Sequence, residues 1–286
     1  MSEQALSASG SIETPSGKGA GTENFPVASY LISPMLRPHV MCFYAFARAA
    51  DDIADNPALS PDEKIRRLDQ FEAGLDGEGE VGKALALRES LVETDVTDRH
   101  ARDLLAAFRQ DATTQRYADW EGLIGYCELS ANPVGRYLMD LHREDRAHWP
   151  ASDALCTALQ ILNHMQDLKP DLVEMDRVYL PLDMLAGEGL SVEALKAEAM
   201  SGPLRKVLDG VLDRCDPMIA TAASRVVRLK SRRLDAEMRM ITALARCLAG
   251  RLRREDSLAE RVKPSKADFL RAALTGIPAL WGASPT

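Results

Sequence analysis

Apolar residues recur every three or four positions through most of the chain, and short polar or proline-bearing breaks divide the helices they predict. Order is expected from about Glu23, with a short helix over 26–33. Pro38 suits a first helical turn and opens a helix that Asn56-Pro57 stops. Ser60 caps the next, which has Asp62 and Glu63 in its first turn and runs to about Ala73. Helical patterning resumes over 81–93 and 97–113, and Asp119 opens a helix broken or bent near Asn132-Pro133, followed by a segment over 133–144. His148-Trp149-Pro150 reads as a loop and Ser152 as the cap of the helix after it. Residues 172–189, with Pro181 and two glycines, read as irregular. A short helix from Ser191, helices over 203–227 and 231–250, and a last one over 265–275 complete the pattern. Leu234, Met238, Ile241, Ala245 and Leu248 form a core stripe on the second of the long pair.

Scarce β-branched runs and abundant Ala, Leu, Arg and Glu point to an all-α protein. The chain of 286 residues shows no linker inside 24–275, so one domain is expected over 23–275. Residues 1–22, rich in Ser, Gly, Ala and Thr, read as a disordered leader that matches neither a secretory signal nor a transit peptide, and 276–286 as a tail.

A net charge of −8 argues against general nucleic-acid binding, though not against an anionic substrate held by local cations. Cys42, Cys127, Cys156, Cys215 and Cys247 show neither paired nor metal-ligand spacing. They read as core thiols of a reducing, cytoplasmic compartment. No stretch is apolar enough to span a membrane. The basic groups at 228–233 and 251–254 read as solvated helix ends, with attraction to anionic lipid headgroups as the alternative, which would make the protein peripheral to the inner membrane face.

Two aspartate segments carry the chemistry. On a helix, residues spaced i, i+4, i+7, i+11 share a face. That register aligns Tyr44, Arg48, Asp51 and Asp55 on one stripe, and Gln160, His164, Asp167 and Asp171 on another, with Asn163 beside it. Carboxylates four residues apart repel, so each helix gives up stability here. Two such faces turned toward each other need a cation between them, and oxygen-only ligation suits Mg²⁺, which completes its shell with substrate phosphates. The metal set is therefore Asp51, Asp55, Asp167 and Asp171, with Asp52 as an auxiliary ligand.

Blander readings stand beside these. Arg48 is either an intrahelical ion-pair partner or a diphosphate contact. Tyr44 is a core aromatic, a phosphate hydrogen-bond donor or a carbocation support. His164 fits a core or positioning histidine better than a hard-metal ligand, and Asn163 is the better oxygen donor; Gln160 is expected to point into a cavity. Pro170 removes a helical N–H and leaves the helix kinked or ended near Asp167, so Asp171 need not lie on the ideal stripe. Tyr126 through Arg136, with Pro133 and Gly135, is either a packing kink or room for a ligand chain.

Taken together, Tyr44 to Asp55, Tyr126-Cys127 through Val134-Gly135, Gln160 with Asn163 to Asp171, and Arg177-Val-Tyr179-Leu-Pro181 resemble the squalene/phytoene synthase family over about residues 23–275. Glu23 to Ser29 and Ser130 to Arg136 resemble the bacterial hopanoid-pathway squalene synthase branch within it. The resemblance implies a single helical bundle around a deep apolar cavity and Mg²⁺ as cofactor. It implies catalytic roles for Asp51, Asp55, Asp167, Asp171, Arg48 and Tyr44, and substrate contacts from Arg48, Tyr44, Tyr126, Gln160 and Asn163. The implied reaction takes presqualene diphosphate and water to hydroxysqualene and diphosphate, beside a presqualene diphosphate synthase and a flavin-dependent reductase. Condensing members often carry an arginine just before the second aspartate motif, where this chain has Gln166; that loss weakens the case for a second diphosphate. Head-to-head condensation of two prenyl diphosphates is the alternative reaction, and an inactive lipid-binding scaffold the alternative class.

Overall fold

The computed structural model describes residues 31–225 and 229–281, and all that follows concerns these. The leader at 1–22, Glu23 to Ser29 and most of the helix expected over 26–33 lie outside them; Leu31–Ser33 forms a turn.

The described chain is a succession of α-helices: α1 (Arg37–Ala54), α2 (Pro61–Asp76), α3 (Gly82–Thr94), α4 (Arg99–Asp111), α5 (Trp120–Ser130), α6 (Asn132–Leu141), α7 (Trp149–Gln166), α8 (Leu168–Met175), α9 (Leu182–Gly187), α10 (Gly202–Arg225), α11 (Arg232–Leu252) and α12 (Lys266–Trp281). The expected caps form: Ser60 Oγ accepts from the Glu63 amide, and Asp119 Oδ1 from the Gly122 amide, satisfying donors that a helix start leaves bare.

Three local readings differ. Residues 146–149, read in part as loop, form a 3-10 turn leading straight into α7, with Pro150 in its first turn and Ser152 buried inside it. The stretch over 172–189 holds the end of α8 and all of α9, joined by an extended piece whose Val178 pairs with Arg116. The last helix runs on to Trp281 instead of ending near 275.

The apolar side chains gather in two clusters. One is built from α1 to α4, around Phe43, Phe46, Ile53, Leu68 and Phe71. The other joins α5, α7, α10 and α11, around Leu123, Leu155, Ile161, Leu208 and Leu248. A cavity of about 280 Å³ lies at their seam, with Phe43 and Ala47 of α1 on one side and Leu155, Leu159, Met238 and Ile241 of α7 and α11 on the other. The first aspartate segment belongs to the first cluster and the second to the other, so the carboxylates meet where the two halves meet. A larger surface groove of about 800 Å³ between α3 and α6 is lined by Arg88, Asp95, Asp140 and Arg143, and takes in neither aspartate segment.

Helix contacts set the tolerance for change. A Cβ on Gly74 of α2 would stand 2.5 Å from the Ala84 Cβ of α3, which has no rotamer to move away. Gly125 of α5 has open space around its would-be Cβ. Gly74→Ala is expected to lower stability by about 1–3 kcal/mol through overpacking, despite its better helix propensity. Gly125→Ala is expected to raise it by up to about 1 kcal/mol. Thermal or urea unfolding of the two variants against the parent checks both signs.

Candidate active site

The first segment occupies the last two turns of α1. Asp51 faces the cleft with its side chain 31 % exposed, and Asp52 is turned inward and buried. Arg48 serves both: Nη1 lies 3.0 Å from Asp51 Oδ2, while Nε donates to Asp52 Oδ1 at 2.9 Å. Arg48 therefore makes the intrahelical ion pairs that its spacing allows, and Asp52 is placed against Arg48, off the stripe shared by Asp51 and Asp55. Asp55 caps the helix end and receives a second guanidinium, with Arg177 Nη1 at 2.6 Å from its Oδ1.

Arg177 is held by the backbone that follows α8. Asp176 takes a left-handed conformation, φ 52°, reversing the chain, and the Arg177 amide donates back to the Asp171 carbonyl at 2.9 Å. Arg116 fixes the reversal through the Asp176 carboxylate and carbonyl. From there the Arg177 Nη2 donates to the carbonyls of Ala54, at 3.0 Å, and Asp111, at 3.2 Å. One buried guanidinium thus ties the C-terminal ends of α1 and α4 to the segment beyond the second aspartate motif.

The second segment is broken at Asp167. It closes α7 at φ −109°, ψ 23°, and the chain restarts as α8, so Pro170 falls in a first turn where its missing N–H matters little. The Asp171 amide still donates to the Asp167 carbonyl at 2.8 Å, which keeps Asp171 one turn beyond Asp167. Asp171 is buried, and His164 Nδ1 stands 3.5 Å from its Oδ2. The Gln160 amide donates to His164 Nε2 at 3.2 Å, which leaves the ring proton on Nδ1, toward Asp171. The His164 ring stacks on Tyr179 at 3.4 Å between centroids. Gln160 and His164 are in this way placed as a relay that orients Asp171.

Two contributors, Arg261 and Asp111, escaped the sequence reading. Arg261, in the loop between α11 and α12, forks onto Asp167, with Nε 2.7 Å from Oδ1 and Nη2 2.7 Å from Oδ2. Gln166 explains how: it is buried, and its amide donates to the Val262 carbonyl at 2.5 Å, pinning the loop beside Asp167. Asp111, at the end of α4, accepts from the hydroxyls of Tyr126, at 3.1 Å, and Tyr179, at 3.4 Å. Burial holds both phenols well above their usual range, so they stay proton donors. Tyr126 reaches Asp111 and is itself buried, whereas Tyr44 and Asn163 line the apolar cavity.

Charge is strained throughout the cleft. Burial, then Asp55, pushes the Asp51 carboxyl up. Burial raises Asp171 too, and Asp55 from the facing helix end adds to it, against the lowering effect of His164. Burial takes Asp111 up to about 6. Among the described residues no three of His, Cys, Asp and Glu converge closely enough to chelate an ion by themselves. The donor set is nonetheless the one a hard dication uses with a phosphate ligand: carboxylates on two walls, one or two per ion, the shell completed by phosphate oxygens and water.

A family model described as squalene/phytoene synthase matches residues 19–268. The chain is 43 % identical over 249 residues to a hydroxysqualene synthase of Sinorhizobium fredii, covering 87 % of this chain and 85 % of that one. It is 44 % identical over 262 residues to a hydroxysqualene synthase of Rhodopseudomonas palustris, covering 91 % and 90 %. A crystal structure of a squalene synthase from Alicyclobacillus acidocaldarius superposes with a TM-score of 0.71 at 28 % identity, over 80 % of this chain and 87 % of that one. The chain belongs to the squalene/phytoene synthase family, and its helical bundle is the all-α fold of that family.

The raised Asp111 gives a signed pH dependence. Its stabilising state is the neutral one, complete below the unfolded value near 4 and lost as pH rises through about 6. Without added metal, Asp111→Asn should match the parent near pH 4 and exceed it at pH 7 by up to about 3 kcal/mol, two shifted units being worth roughly that much. Urea unfolding at the two pH values reads the difference.

Proposed function

We propose that this member of the squalene/phytoene synthase family converts presqualene diphosphate and water to hydroxysqualene and diphosphate. The observation that carries this reading is the seam itself: Asp55 at the end of α1 lies close enough to Asp171 of α8 to raise its carboxyl, beside helices that enclose an apolar cavity. Relatives named hydroxysqualene synthases share more than two-fifths of its residues across most of its length.

Mg²⁺, when bound, supplies positive charge to the diphosphate oxygens as the carbon–oxygen bond breaks. Asp51, Asp55, Asp167 and Asp171 are the residues proposed to hold it. Arg48, Arg177 and Arg261 already stand on those carboxylates, and a diphosphate entering the cleft offers the guanidiniums a second anion. His164 keeps Asp171 oriented. Tyr44 and Asn163 border the cavity where the hydrocarbon lies, and the cavity excludes the bulk water that would quench a carbocation at random. Gln166, buried on the Val262 carbonyl, offers no charge to a second diphosphate, which favours a substrate that carries only one.

The same reading assigns the neighbouring steps. A presqualene diphosphate synthase supplies the substrate, and a flavin-dependent reductase removes the hydroxyl group. Both substrate and product are long hydrocarbons, and α12 offers a surface for meeting them at a membrane. Leu270, Leu274 and Ile277 form one exposed stripe of α12, extended by Phe269 and Leu280. The exposed charges on this helix, Lys266 and Arg271, are both basic, although the chain as a whole is at −8. The acid of this helix, Asp268, is buried and held by Arg251. Such a face suits peripheral contact with anionic lipid. No helix among the described residues is long and apolar enough to cross a membrane.

Two measurements test these statements. Purified protein with Mg²⁺ and presqualene diphosphate should yield hydroxysqualene, lose activity in EDTA and regain it with Mg²⁺. Asp51→Asn and Asp167→Asn should each lower kcat by at least about 10²-fold. Turnover of farnesyl diphosphate with none of presqualene diphosphate would instead establish condensation. For the surface, sedimentation with phosphatidylglycerol vesicles should retain the parent and release a Leu270→Glu, Leu274→Glu double variant, with neutral vesicles retaining neither; equal retention of both on the anionic vesicles counts against α12.

A further inference from the structure

The cavity beneath the carboxylate cleft has one acid in its wall. Glu237 of α11 lines it among Leu234, Met238 and Ile241, and the residue is only 4 % exposed. It falls on the buried face of α11, three residues after Leu234 and four before Ile241, at a position that packing alone would fill with an apolar side chain. The cavity also reaches the aspartate-bearing helices. Tyr44 on its wall precedes Asp51 by seven residues of α1, about 10 Å along the axis. Asn163 precedes Asp167 by four, about 6 Å. A diphosphate at the cleft therefore sends its hydrocarbon toward Glu237.

The other ionisable groups within the cavity wall are poor proton acceptors. Burial pushes the Cys156 thiol up to about 12. The Tyr137 hydroxyl is committed to the His39 carbonyl at 2.9 Å, and burial raises it as well. Tyr44 carries a phenol, with an ordinary value near 10, far above that of a carboxylate.

We infer that Glu237 holds the water that ends the reaction and takes its proton. The inference rests on the hydroxysqualene-forming reading above. The carbon–oxygen bond to the diphosphate breaks with its electron pair on the leaving oxygen, leaving a carbocation. The cyclopropylcarbinyl cation rearranges, and a water lone pair then forms the new carbon–oxygen bond at a ring carbon while a carbon–carbon bond of the three-membered ring breaks, its electron pair becoming the new carbon–carbon double bond. One O–H bond of that water then breaks, its electrons stay on the new hydroxyl oxygen, and the proton passes to the Glu237 carboxylate. The sum is carbocation plus water plus carboxylate giving alcohol plus carboxylic acid, with no oxidant or reductant. In an apolar chamber the carboxylate also provides the negative charge that favours the cation at the carbon facing it. One fixed acceptor gives one site of hydroxylation, where a dry cavity without it would release the cation by proton loss from carbon.

Glu237→Gln keeps the size of the side chain and removes the acceptor. Wild type and variant are incubated with Mg²⁺ and presqualene diphosphate, with diphosphate release and C30 products measured in parallel. Diphosphate release is expected to stay within about tenfold of wild type, because ionisation takes place at the cleft. A positioned base is worth roughly 10²–10⁴-fold, so the hydroxysqualene formed per diphosphate released should fall at least about 10²-fold, replaced by dienes and isomeric alcohols. Glu237→Asp should restore part of the hydroxysqualene share, and it serves as the variant read if the Gln form does not fold. An unchanged product mixture overturns the inference. So does a fall in diphosphate release and in hydroxysqualene by the same factor, the mark of a residue that only supports the fold. Wild-type protein that leaves presqualene diphosphate unconsumed overturns the parent reading, and this one with it; dienes or isomeric alcohols made only by the variant are the signature that belongs to Glu237 alone.

Discussion

Repulsion between carboxylates across the seam of two apolar clusters is the constraint that organises this molecule. Asp51 and Asp55 belong to the α1 half and Asp167 and Asp171 to the α7 half, and burial raises Asp51 and Asp171 before any neighbour is considered. A fold that brings such groups together must offset their charge or leave them protonated. This one offsets it with Arg48 on Asp51, Arg177 on Asp55 and Arg261 on Asp167, while a neutral His164 turns its Nδ1 proton toward Asp171. The partners are drawn from four places in the chain, so the cleft is electrostatically closed only when the tertiary structure is complete.

The neutralising groups also do structural work. Arg177 reaches two backbone carbonyls at helix ends, Ala54 and Asp111, where a helix leaves acceptors without intrahelical donors. The same guanidinium satisfies the carboxylate and caps the helices, so charge balance and packing cannot be separated at this point. Gln166 plays the corresponding part on the other wall. Its buried amide anchors the Val262 carbonyl and thereby presents Arg261 to Asp167. The cation that meets Asp167 thus comes from a loop distant in the chain, held in place by a buried amide one residue before the aspartate.

Much of this was legible in the sequence because it is local. The caps at Ser60 and Asp119 act over three residues, and the spacing that sets Asp55 one turn beyond Asp51 is a single-helix property. The chain's departures come from interactions that no local pattern encodes. Arg261 lies far along the chain from Asp167, and Asp111 reads as one more helix-end carboxylate until Tyr126 and Tyr179 converge on it. The segment at 172–189 looked irregular because its helices are short and its extended piece is stabilised by pairing with residues near Arg116, a contact between distant stretches. Pro170 was informative: the helix ends at Asp167, as the proline led one to expect, which leaves the proline in a first turn and Asp171 one turn along.

Asp171 shows why the break belongs to the chemistry of the site. In a continuous helix its carboxylate would follow the direction of Asp167 and stand on the same solvent-facing stripe. Ending α7 at Asp167 and restarting as α8 separates the two environments: Asp167 stays exposed enough to meet a guanidinium from a loop, while Asp171 sinks beneath the helix against an imidazole stacked on Tyr179. The two carboxylates of one motif thereby acquire different partners and different access to water. A cluster of identical, equally exposed aspartates would repel most strongly where they most need to converge. Graded burial, with a guanidinium on each of three and a neutral imidazole facing the fourth, lets the four approach from two walls while the space beside them stays apolar.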